Sequence, residues 1–245
     1  MTTATGIPEF VEPRQITEDE PLLGRVGDVA QPRMGSLLKN LTLGTAMIAQ
    51  VGAILLVAAT WAAVFLMDLT LFSAHPLLNS IAILFLLQSI LVLQPTHTPE
   101  QKRNGANVHA LFILLAMLSL LGGLIVIEYN KIRNGAVHFK SAHAKLGIAV
   151  YAMLVLQTLV GFTQFYTPML YGSVANAKVI YKYHRMSGYL LLVLLLASFA
   201  TATQTYFNLH AIHIKLWVVL VTSALILIGV VPRIKKQKFG FSSSK

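Results

Sequence analysis

Six apolar runs, each long enough to cross a bilayer, constrain this chain more than any other feature. They fall at about residues 43–67, 70–94, 108–127, 143–165, 184–205 and 212–231. A hydrocarbon core of about 30 Å takes about 20 apolar residues in helical form. Only helices and closed barrels satisfy every backbone polar group there, and uninterrupted runs of this length are helical in character. Residues 56% hydrophobic and 11% charged fall well short of the roughly 25% charge of a soluble domain. The expected fold is all-α, a polytopic membrane protein of six transmembrane helices with a four-helix core made by spans 2–5. Residues 1–41 read as a cytosolic disordered tail, 42–232 as the membrane domain, and 233–245 as a basic cytosolic tail.

Charge and cysteine content narrow the chemistry. The formal net charge of +10 lies in loops and tails beside apolar runs, which fits lipid headgroups and topology control and not nucleic acid. The chain contains no cysteine, which excludes thiolate metal sites, iron–sulfur clusters and thiol catalysis. The first 40 residues carry acids (Glu9, Glu12, Glu18, Asp19, Glu20, Asp28) and show no apolar core of a signal peptide.

Each of the four central runs has one histidine at or near its start: His75, His109, His143 and His184, spaced 34, 34 and 41 residues apart. Successive crossings start from opposite faces, so His75 and His143 share one depth, and His109 and His184 share the other. A single imidazole at membrane depth is ordinarily satisfied by a hydrogen bond to a neighbouring helix. Four of them, one per consecutive span and matched by depth, point to ligation. Zinc wants about four protein ligands, and a non-haem iron triad needs a carboxylate that neither depth supplies. Haem needs only two axial ligands, and two imidazoles leave no open position for oxygen, which suits electron transfer. The expected cofactor-binding residues, and the ligands to haem iron, are therefore the pairs His75/His143 and His109/His184, with no catalytic residue separate from the haems. Gly147 and Gly188, four residues after His143 and His184, leave room for a ring, and Gly122 and Gly123 lie near the depth of the other pair. Ligands one to two turns inside each face put the irons about 15–20 Å apart.

Fourteen of the nineteen Lys and Arg residues fall on the side of the two tails, so the positive-inside rule places both termini in the cytosol. His109/His184 is then the cytosolic pair. No loop holds a flavin domain and no G-x-G-x-x-G follows a strand, so the donor is a small soluble molecule or a partner protein. Lys102 and Arg103, together with Lys178, Lys182 and Arg185, form a cationic approach for an anionic reductant or for haem propionates. On the opposite face, His138 and Lys140 stand just outside His143 and are candidates to contact the acceptor. His97, His210 and His213 read as interfacial residues. Pro76 either sits in the first turn of the second span or kinks it.

These residues resemble the cytochrome b561 family over about residues 42–232. The matching features are the histidine spacing, His75-Pro76, Ser141-x-His143 and His184-Arg185-x-x-Gly188-Tyr189. The resemblance implies two b-type haems, a transmembrane ascorbate-dependent oxidoreductase, and monodehydroascorbate or ferric chelates as acceptors. It also implies a homodimer, in an endomembrane such as the ER or a vesicle. Leu91-Val92-Leu93-Gln94-Pro95 and Ala144 depart from the ascorbate-dependent branch and look more like the shorter branch of ferric reductases. Two rival readings are a haem-binding anchor subunit of a quinone-linked complex and a histidine proton-relay transporter.

Overall fold

The computed structural model describes residues 29–32 and 35–235, and among them every regular element is helical. The long helices are α1 (Ala46–Phe65), α2 (Ala74–Leu93), α3 (Pro99–Arg133), α4 (Ala142–Tyr166), α5 (Val174–Ala202) and α6 (Leu216–Val230). All six runs are long and apolar enough to cross a membrane. The acids of residues 1–28, together with Arg25, Arg33, Lys236 and Lys238, lie outside the described residues.

Two helices are longer than the apolar pattern suggests. The expected polar loop 95–107 is mostly helix, because α3 begins at Pro99. Thr98 caps that start, accepting from the Gln101 N–H at 3.2 Å, and Pro99 occupies the first helical position. At 35 residues, α3 spans about 52 Å and projects well past the hydrocarbon. The expected loop 166–182 likewise shrinks, because Ser173 caps α5 by accepting from Asn176 N–H at 3.1 Å. Helix α2 starts at Ala74, after a 3-10 turn over Leu71–Ser73, so Pro76 sits in the first turn.

Helices α2 and α3 pack as one antiparallel hairpin and α4 and α5 as another, while α1 packs against α6 and α2. The α1–α6 seam is made of small residues: a Cβ on Gly52 would meet the Thr222 carbonyl at 2.7 Å, and one on Gly229 would meet the Thr45 carbonyl at 2.7 Å. Lipid gives no hydrophobic drive for helix association, so close backbone approach of this kind carries the packing. On α3, Leu111, Leu114, Leu118, Leu121 and Ile125 are exposed along one face, a stripe suited to acyl chains and not to water.

The two hairpins touch each other far less than the helices within each do. The space between them is where side chains of α2 meet α4 and those of α3 meet α5. At the end where the described residues begin and finish, buried Arg233 ties the fold together. It donates to Gln94 Oε1 at 2.8 Å and to the carbonyls of Asn40, Leu91 and Leu43. Asn40 in turn donates to Gln31 Oε1 at 2.9 Å and to the Val92 carbonyl at 2.8 Å. The described end of the expected tail is thus docked on the bundle, and a 3-10 turn over Leu37–Leu41 leads into α1.

Candidate functional site

Helix direction brings the four histidines together in twos. His75 of α2 faces His143 of α4 with ring centres 6.2 Å apart, and His109 of α3 faces His184 of α5 at 6.4 Å. The rings of each pair are nearly perpendicular, at 84° and 78°. Both pairs bridge the two hairpins across the gap between them.

Main-chain oxygens hold three of the rings. His75 Nδ1 donates to the Gly123 carbonyl at 2.9 Å, His109 Nδ1 to Ser89 at 2.9 Å, and His143 Nδ1 to Ser198 at 3.0 Å. A carbonyl only accepts, so each Nδ1 carries the proton and each Nε2 keeps a lone pair, the form a metal requires. Asn79 donates to the His75 carbonyl at 2.8 Å and accepts from the Tyr151 hydroxyl at 2.8 Å, which links α2 to α4 beneath the first pair. Phe72 stacks on His75 with ring centres 5.6 Å apart. The Gly123 backbone runs close enough that a Cβ there would collide with the Asn79 amide.

The geometry can be set against a bis-imidazole metal. A metal–nitrogen bond of about 2.0 Å, with about 1.1 Å from nitrogen to ring centre, would put two imidazoles on opposite sides of one metal about 6.2 Å apart, centre to centre. Both pairs match that spacing. Among the described residues no cluster of three or more His, Cys, Asp or Glu forms, so the donor sets suit a metal whose other ligands come from a macrocycle. The room is there as well. A cavity of about 1130 Å³ opens around His109 and His184 between the hairpins, slightly larger than the usual small-ligand pocket. A Cβ on Gly161 would lie 2.7 Å from His184 Cε1 and one on Gly188 3.1 Å from Gln157 Nε2, so bare backbone makes space for the ring and its clamp. At Gly147 the nearest atom would be Ser198 Oγ at 3.9 Å. The residues fit haem.

Lys102, Arg103, Lys178, Lys182 and Arg185 all line this cavity, together with Arg233 and Lys235 from the expected basic tail. Among the described residues no carboxylate lines it. On the opposite face, His138 pairs with Glu128 at 3.1 Å and Lys140 is exposed. His210 donates to the Tyr206 carbonyl at 2.9 Å, and His213 adopts a left-handed φ of 61° in the turn before α6.

The fold and this site define a class: a polytopic helical membrane protein with two histidine pairs stacked between two hairpins. Residues 74–209, which contain α2 to α5 and all four histidines, match the family described as eukaryotic cytochrome b561, and the chain belongs to that family. Membership implies b-type haem binding. The chain is similar to the transmembrane ascorbate-dependent reductase CYB561 of Homo sapiens, 34% identical over 98 residues, or 40% of this chain and 39% of that protein. It is similar to the protein of the same name from Bos taurus, 32% identical over 97 residues, covering 40% of this chain and 38% of that one. The Mus musculus protein is 34% identical over 98 residues, with 40% and 39% covered. The matched stretch therefore spans about two-fifths of these relatives' length.

Proposed function

We propose that this protein passes single electrons across a membrane through two b-type haems, one held by His75 and His143 and the other by His109 and His184. The donor is a cytosolic reductant, ascorbate, and the acceptor on the other face is monodehydroascorbate or a ferric chelate. The observation that carries this reading is the pair of histidine separations, 6.2 and 6.4 Å, each bridging two helical hairpins. When bound, the haems supply reversible one-electron chemistry. The protein supplies ring orientation through the Nδ1–carbonyl bonds of His75, His109 and His143.

Lys102, Arg103, Lys182 and Arg185 converge on the cavity over the His109/His184 pair, where they attract an anionic reductant and balance acidic cofactor groups. The excess of basic residues on that face supports cytosolic termini. On the other face, Phe72 on His75 and the His138–Lys140 loop offer the acceptor its approach. A homodimer in an endomembrane is the assembly expected from the family resemblance.

A reduced-minus-oxidised visible spectrum of the purified protein tests this. The expected result is a six-coordinate b-type signal of about two haems per chain, regained on adding ascorbate. His109→Ala or His184→Ala should remove one haem, and His75→Ala or His143→Ala the other. A colourless protein from haem-replete cells overturns the reading, as does loss of the same haem from both His75→Ala and His109→Ala.

A further inference from the structure

Two polar side chains inside the apolar bundle, Asn79 and Tyr151, meet beside the His75/His143 pair, at a depth where polar groups are costly unless satisfied. Asn79 lies four residues after His75, on the same face of α2. At that offset the other three histidines have Ile113, Gly147 and Gly188, none of which carries a polar side chain. Tyr151 lies eight residues after His143 on α4, about 12 Å further into the bundle.

The hydrogen bonds among these groups leave one arrangement. The His75 carbonyl only accepts, so the Asn79 amide nitrogen points at it, at 2.8 Å. The amide oxygen then faces α4 and accepts from the Tyr151 hydroxyl at 2.8 Å. That hydroxyl has the Leu120 carbonyl as a second acceptor at 3.0 Å, which holds it against α3 as well. With its orientation set from both ends, the amide nitrogen stands 3.4 Å from His75 Nδ1. Nδ1 donates to the Gly123 carbonyl at 2.9 Å, and an amide nitrogen offers no lone pair to draw that proton away. Gly123 makes the room, since a Cβ there would collide with the same amide nitrogen. Phe72 covers one face of the ring. Any rotation of the His75 imidazole breaks a bond or displaces a packed group.

We infer, resting on the haem reading above, that Asn79 and Tyr151 are positioning residues for the His75/His143 site. The Tyr151 hydroxyl orients the Asn79 amide, and the amide holds the His75 ring nearly perpendicular to that of His143, at 84°. That angle is set by a side chain of α4, the helix that also carries His143. One helix therefore fixes both ligands, His143 directly and His75 through Tyr151 and Asn79. The angle between two axial imidazoles decides which iron d orbitals they overlap, and so the electronic ground state of the oxidised metal.

Electron paramagnetic resonance of the ferric low-spin protein reads that angle without turnover. The unaltered protein should give two signals, and His109→Ala should leave only the one from the His75/His143 site, which assigns it. Tyr151→Phe keeps the ring and removes only the hydroxyl, whereas Asn79→Leu keeps the volume and removes the amide. Each should move the assigned signal to a smaller largest g value and leave the other in place. Because the two residues act in series, the double variant should move it no further than Asn79→Leu does. An unmoved signal, movement of the other signal, or additive shifts overturn the inference. Loss of the His75/His143 haem alone is the stronger form of the expected result, and loss of both haems from both variants overturns it. Where only Tyr151→Phe fails to fold, Asn79→Leu carries the test, since Tyr151 there keeps the Leu120 carbonyl as its acceptor. Unaltered protein with no low-spin haem signal overturns the haem reading itself, a distinct failure.

Discussion

Each histidine reads differently from its surroundings than from its place in the chain. The residue type and the alternation of spans are plain in the sequence, but the partners of three rings are main-chain oxygens, which carry no side-chain signature. Only a periodicity betrays them: Ser89, Gly123 and Ser198 each fall four turns beyond a histidine. Gly161 shows the same limit, because nothing in the sequence sets it apart from other membrane glycines, yet it touches the His184 ring. Gly161→Ala should push that imidazole aside and remove about half of the haem absorbance. Gly147→Ala, where the nearest atom lies 3.9 Å from the added Cβ, should leave the spectrum intact. Haem quantification of the two variants side by side checks both outcomes. Arg233 is a further residue whose neighbours decide its role. Its guanidinium serves four acceptors inside the bundle, so Arg233→Leu orphans several buried carbonyls. The expected loss is on the order of 3 kcal/mol of stability, read as a lowered thermal midpoint in detergent.

At the scale of elements, hydropathy located six spans but not their ends. The polar stretch 99–107 became helix because a Thr98 cap and Pro99 start it in water-facing sequence, where apolar periodicity gives no guide. Thr98→Ala should cost about 1 kcal/mol and fray the cavity-lining start of α3, seen as faster amide exchange there. The α1–α6 seam depends on a second kind of local detail. Gly229→Leu would drive a side chain into the Thr45 and Ala49 backbone, and its expected outcome is separation of α6 with loss of folded protein in detergent. Gly135→Ala, where no atom lies within 4 Å of the new Cβ but φ is +58°, should be far milder, at about 1 kcal/mol.

For the whole molecule, charge and geometry work together. Cations drawn from α3, α5 and the end of the described chain meet around one cavity although they lie far apart in sequence. Lys102→Glu combined with Lys182→Glu should slow reduction by ascorbate about tenfold or more at low salt. Added salt should narrow the gap to the unaltered protein, and dithionite reduction should remain complete. Stopped-flow reduction at several ionic strengths checks this. Labels at either terminus should be modified from the same side of sealed vesicles, since an even number of crossings returns the chain to its starting face.

The amino-acid sequence by itself determined that this chain lives in a membrane, crosses it six times, and carries one imidazole per central span in alternating direction. Length, hydropathy and the parity of crossings are properties of a chain read in order, so they need no partner to be known. Tertiary structure decided how far each helix runs, which carbonyl receives the Nδ1 of His75, His109 and His143, that Gln157 donates to the His184 main-chain oxygen, and that Arg233 turns inward to close the bundle. Those are contacts between groups distant along the chain, and packing alone chooses among the many oxygens and cations that the sequence offers.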